Sequence, residues 1–158
     1  VFGPIEHYVP IVEQAVHALE RATGLPPLIV AHSMGGLAVR AWLRDMRADD
    51  RIHGVVTIGS PHHGTWLARF ALSSNTCQMR RHNDWLTQLA RDEAEATGRR
   101  ARFTCFYGHC DNIVFPASTA MLPDADNRHV PGVAHVHLAF QPAVWNEVMR
   151  RLRSEPGA

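Results

Sequence analysis

The chain has 158 residues, 46% of them hydrophobic, enough apolar material for one buried core, and a single domain over residues 1–158 is expected. All 16 basic residues are arginine, which excludes lysine Schiff-base and P-loop chemistries. The formal net charge is +1, and the arginine doublets Arg80-Arg81, Arg99-Arg100 and Arg150-Arg151 read as solvated surface, leaving no continuous basic face for nucleic acid.

Helix and strand patterns alternate from end to end, the mark of βαβ units around a mostly parallel sheet with helices on both faces. The first helix is announced by Pro10, carries Ile11, Val12, Ala15, Val16 and Leu19 as an expected buried stripe, and stops at Gly24. Leu28 to Ala31 is an unbroken apolar run, as in a strand buried on both faces, and it ends at His32-Ser33. A helical period returns from Met34 through Leu37, Ala38, Ala41 and Trp42, followed by a second buried strand over Gly54 to Ile58.

Residues 60–100 are the least regular and form a potential lid or cap region, with an amphipathic helix around Trp85, Leu86, Leu89 and Ala90. A third strand is predicted over Phe103 to Tyr107 and a last one over Asn127 to Val130, before the loop Pro131 to His135. Pro142 opens the closing helix, whose expected buried stripe is Val144, Trp145, Val148, Met149 and Leu152, with Arg150, Arg151 and Arg153 at its negative end.

No apolar run reaches the roughly 18 residues of a membrane span, and no signal peptide opens at Val1. Any signal would lie upstream, so a cytoplasmic and a secreted location both stay open. Cys77, Cys105 and Cys110 read as three ordinary thiols, a Cys77–Cys110 bridge being the alternative.

The strongest local signal is Ala31-His32-Ser33-Met34-Gly35-Gly36, lying between a strand and an amphipathic helix. A nucleophilic serine in such a turn needs small residues two positions to either side, met by Ala31 and Gly35. The helix N-terminus then favours an anionic intermediate, with the Met34 N–H as first oxyanion-hole donor. The competing reading, a phosphate-cradling turn, lacks further glycines and a lysine. Serine needs a base oriented by a carboxylate. Asp111, just past the third strand, is the favoured acid, with Asp124 and Asp126 as rivals in a turn-like stretch; His135, after the last strand, is the favoured base, with His137 as its rival.

The segments Ala31 to Gly36, Gly59-Ser60-Pro61-His62-His63-Gly64-Thr65, Cys110-Asp111-Asn112-Ile113-Val114 and Gly132-Val133-Ala134-His135 together resemble the bacterial triacylglycerol lipase and esterase branch of the α/β-hydrolase superfamily. The resemblance implies an α/β-hydrolase fold with nucleophile Ser33, acid Asp111 and base His135. It also implies strands ahead of the first helix and a loop there that supplies a second oxyanion donor. With Val1-Phe2-Gly3-Pro4 so close to that helix, an N-terminally truncated fold with a missing N-terminal segment is expected, and the second donor is unassigned.

The apolar stretch Trp66, Leu67, Ala68, Phe70, Ala71 and Leu72 suits an acyl pocket or lid as well as it suits a helix packed on the sheet; Trp66, Leu67, Phe70 and His32 are the expected substrate-binding residues. His62-His63 with His82 and Asp84 fits no tight zinc spacing, so neither metal nor cofactor is expected. These readings converge on hydrolysis of a small-molecule or lipid ester through an acyl-enzyme. A thioesterase, amidase or acyltransferase with the same triad, an inactive hydrolase-like binding domain and a histidine-rich metal binder are the alternatives.

Overall fold

Successive side chains of a strand point to opposite faces, and in this protein that alternation separates two cores. The computed structural model describes residues 3–70, 72–96 and 98–154; Val1, Phe2 and Ala71 lie outside the described residues. The sheet is parallel, in the order β1 (Leu28–His32), β2 (Gly54–Ile58), β3 (Phe103–Tyr107) and β4 (Asp126–His129). The helices are α1 (Val9–Thr23), α2 (Gly35–Met46), α3 (Ser74–Gln78), α4 (Asp84–Ala94), α5 (His135–Leu138) and α6 (Pro142–Arg153).

Val55 of β2 and Phe103 and Cys105 of β3 face one side, where they join Val16 of α1 and Val39, Trp42 and Leu43 of α2 in one core. Val56, Ile58 and Phe106 face the other, in a core with Leu138 of α5 and Val144 and Val148 of α6. β2 is buried at every position, as expected of a central strand. All four strand C-termini therefore open on one rim, where β1 runs into α2 and β3 into the loop carrying Asp111.

Several expectations are corrected. The β1 run reads as a strand buried on both faces, and the expected missing strands would leave its edge exposed; in the described sheet only Ala31 is buried, and Val30 is 39% exposed at that edge. The expected stripe of α1 is likewise open: Val16 is buried, whereas Ile11, Ala15 and Leu19 are exposed. These residues line an apolar groove of about 420 Å³ between α1 and β1 instead of closing a core. Pro10 does sit in the first turn of α1, and Gly24 ends it at φ 68 with its N–H on Glu20 O.

The last strand begins one residue earlier than predicted, and His135 starts the short helix α5 instead of ending a loop. In α6, Val144 and Val148 are buried as expected, but Trp145, Met149 and Leu152 are exposed and Glu147 is buried in their place. Glu147 is affordable there because Arg128, Arg150 and Arg151 all bond its carboxylate at 2.7–3.0 Å.

Between β2 and β3 the apolar stretch folds as a 3-10 turn over Trp66–Phe70, not as a packed α-helix, with Phe70 and Leu72 outward. α4 is capped by Asn83, whose side chain accepts from Trp85 N, and buries Leu86 and Leu89. It is also tied to α2 by the fully buried pair of Arg40 and Glu93, bidentate at 2.7 and 2.8 Å. The three cysteines are free thiols.

Candidate active site

β1 hands directly over to α2 through His32, Ser33 and Met34. Ser33 takes φ 55, a left-handed conformation that costs a non-glycine residue about 1–2 kcal/mol, and its N–H is held by Ile58 O of the neighbouring strand at 2.9 Å. Small neighbours make the turn feasible. A Cβ on Gly35 would just touch the Ala31 methyl at 3.6 Å, and one on Gly36 would collide with the buried Ser60 side chain. The Met34 N–H has no hydrogen-bond acceptor among the described residues, so at the positive end of α2 it is free to take a developing negative charge.

Across the rim, His135 Nδ1 and Asp111 Oδ2 lie 2.8 Å apart, and both side chains are buried. Asp111 is fixed from behind: its Oδ1 accepts the N–H groups of Ile113 and Val114, both at 2.8 Å. Burial alone would raise this carboxyl, but the bonds from His135, Val114 and Ile113 outweigh it and hold Asp111 below the ordinary carboxylate range. An ionised Asp111 can accept an N–H on His135 Nδ1, an arrangement that turns Nε2 away from the carboxylate. The His135 backbone N–H is in turn held by Asn112 Oδ1 at 3.2 Å.

The turn and the pair meet through His32, whose ring centroid is 4.7 Å from that of His135 and whose Nε2 lies 3.3 Å from His135 O. Among the described residues the Ser33 hydroxyl forms no hydrogen bond with His135, a contact that in unliganded hydrolases often tightens only around substrate. The rivals stand apart from this arrangement: Asp126 pairs with Arg128, Asp124 sits in an exposed turn at φ 65, and His137 is exposed on α5.

Two residues gain importance that their sequence context did not suggest. Gly59, at φ 55, lies under the pair, and a Cβ there would sit 3.1 Å from Asp111 Oδ2 and from His135 Nδ1. Thr65 ties the 65–70 segment to the Asp111 loop, donating to Ile113 O at 2.6 Å and accepting from Phe115 N at 3.1 Å. Trp66 N donates to Phe115 O at 3.0 Å, so Trp66 and Leu67, both half-exposed, flank that loop. In the sequence both lie in the segment Gly59 to Thr65 that carries the family resemblance, without a role of their own.

His62 is buried, with Nε2 3.0 Å from Thr57 Oγ1 and 3.7 Å from the Cys105 thiol; desolvation, then Arg40 and His63, pull it well below the ordinary imidazole range. Burial pushes Cys105 up to about 11, which makes it inert. Among the described residues no group of three or more His, Cys, Asp or Glu side chains is placed to hold a metal ion.

The family model for the PGAP1-like alpha/beta domain matches residues 17–147. No curated protein matches the chain. Among solved structures, the mature lipase of Bacillus licheniformis is similar at 15% identity and TM-score 0.75, covering 96% of this chain and 75% of its own. Lipase B of Aspergillus fumigatus is similar at 19% identity and TM-score 0.79, covering 99% of this chain and 44% of its own. A Listeria innocua gene product gives 18% identity and TM-score 0.68, with 97% and 68% covered. The likeness is one of fold, and that fold is the α/β-hydrolase sheet with its helices.

Proposed function

The chain belongs to the PGAP1-like alpha/beta domain family, and from that premise we propose that it is a serine hydrolase of carboxylic esters, acting on a small-molecule or lipid ester. His135 Nε2 takes the proton of Ser33 Oγ as the hydroxyl attacks the ester carbonyl. The carbonyl oxygen becomes an oxyanion, received by the Met34 N–H at the α2 N-terminus. Asp111 stabilises the imidazolium, which returns its proton to the departing alcohol. Water, deprotonated by the same imidazole, then releases the acid and restores Ser33. No metal or redox group takes part in these steps.

The observation that carries this reading is the buried 2.8 Å pair of Asp111 and His135 beside a serine held in the left-handed turn at a helix N-terminus. Trp66, Leu67 and Phe70 supply apolar surface for the acyl chain, with residues 60–100 as the cap over a single domain, and His32 borders the site while packing on the base.

The test is labelling of the full-length protein with a fluorophosphonate. Labelling is expected at Ser33 and is expected to vanish in Ser33→Ala and to fall at least a hundredfold in His135→Ala. A folded protein left unlabelled would sink the enzyme reading in favour of a catalytically silent binding domain, the reading to which the open Ser33–His135 contact lends weight. A panel of esters, thioesters and amides decides the substrate class: preference for a non-ester would replace esterase by thioesterase, amidase or acyltransferase.

A further inference from the structure

Two turns lie edge to edge between β2 and α4. One is the 3-10 turn Trp66–Phe70; the other is the turn around Arg80, Arg81 and His82, joined to it by the Thr65–Arg80 bridge and by Arg80 Nε donating to Ala68 O at 3.2 Å. The first turn presents apolar side chains to water. Phe70 is 85% exposed and Leu72, just beyond, is 89% exposed, with Trp66, Leu67 and Phe115 about half-exposed beside them. Outward apolar groups clustered this way mark a contact surface.

The second turn is basic. Between the two turns runs a cleft of about 310 Å³ lined by Thr65, Trp66, Arg69, Arg80, Arg81 and His82, with the Arg69 guanidinium over the Trp66 ring at 5.6 Å. A neighbouring cleft of about 550 Å³ shares Arg81 and His82 and adds Arg91. Among the described residues no carboxylate lines either cleft, and Arg69, Arg81 and Arg91 form no ion pair, in contrast to Arg51 and Arg128. Unneutralised guanidinium groups around a cleft call for an anion, and their planar forks match phosphate oxygens.

We propose that this face docks onto a bilayer containing anionic phospholipid: Phe70 and Leu72 enter the acyl boundary while Arg69, Arg81 and Arg91 engage lipid phosphates. The charge pattern selects that occupant. An acidic protein would satisfy the arginines but leave the exposed Phe70 and Leu72 without apolar cover, whereas basic residues beside exposed aromatic and aliphatic ones suit a membrane interface. Docking does not rest on ester hydrolysis, yet it would set the Asp111 loop, bonded to this segment through Thr65, next to the lipid surface.

The experiment is co-sedimentation of the full-length protein with vesicles of phosphatidylcholine alone and of phosphatidylcholine mixed with phosphatidylglycerol, at low and high salt. Binding is expected to the mixed vesicles only and to fall as salt screens the arginines. Each of Arg69→Gln and Arg81→Gln is expected to weaken binding about fivefold, the equivalent of about 1 kcal/mol per lost charge near an anionic surface. Leu72→Ser is expected to weaken it as well, and the two arginine variants keep hydrolysis of a water-soluble short-chain ester, or fluorophosphonate labelling, at the parent rate. Equal binding to both vesicles, binding indifferent to the arginine variants, or no binding at low salt would overturn the proposal. So would retention on immobilised polyglutamate without vesicle binding, which would make the partner an acidic protein.

Discussion

Replacing Gly59 by alanine isolates how tightly the Asp111–His135 pair is held. At φ 55 the backbone is left-handed, so the added methyl costs about 1–2 kcal/mol in strain alone. It would also stand 3.1 Å from Asp111 Oδ2, His135 Cε1 and His135 Nδ1, closer than ordinary contact, so the imidazole must shift by a few tenths of an ångström. With a 1 Å misplacement costing about a hundredfold, a shift of that size lowers kcat/KM about threefold to tenfold. Gly24→Ala is the matched control: at φ 68 it carries the same strain with nothing within 4 Å of the new methyl. Both variants should lower Tm by about 2–8 °C, and only Gly59→Ala should slow ester hydrolysis and fluorophosphonate labelling. Equal activities in the two variants would refute the idea that space above Gly59 is reserved for the pair.

Ser33→Gly should stabilise the protein while ending catalysis, because glycine adopts φ 55 freely: a gain of about 0.5–1 kcal/mol remains after its greater chain entropy, read as a small rise in Tm. The pH dependence of unfolding should report Glu147, held at about 2 against an ordinary 4.5, first by the hydrogen bond from Arg150 and then by that from Arg151, with burial opposing. A depressed carboxyl stabilises fully above its unfolded value, and that contribution disappears as pH falls from about 4.5 towards about 2. Arg150 is 60% exposed, so solvent screening brings the difference to about 1–2 kcal/mol. Denaturant titrations of Glu147→Gln should lack this slope; an unchanged slope would locate the acid sensitivity elsewhere.

The central strands were legible to the residue. β2 and β3 occupy the spans predicted, because a strand covered on both faces is mainly apolar, here with Thr57 and Thr104 as buried exceptions, and turn residues bound it. β1 reads the same way from its letters, yet among the described strands it lies at the edge. A run such as Leu-Ile-Val-Ala records what a strand can bury, whereas its neighbours decide what it does bury. α6 shows the converse, since the buried Glu147 is met not only by Arg150 and Arg151 of its own helix but by Arg128, nineteen positions away in the chain. Arg40 and Glu93, 53 positions apart, were equally invisible. At the rim, the turn at Ser33 was readable because its demands are local: two small neighbours, a strand before and a helix after. The choice of Asp111 over Asp124 and Asp126 was positional, and what distinguishes it physically, two backbone N–H groups and an imidazole on one carboxylate, depends on folded geometry.

The open side of β1 bears on what can pair with this sheet. Its outward amides and carbonyls, flanked by Val30 and by the uncovered Ile11 and Leu19 of α1, offer a template onto which a further extended segment can zip. A strand added there, from the same chain or from another, would extend the sheet without disturbing the serine turn, so pairing at this edge and catalysis are separable.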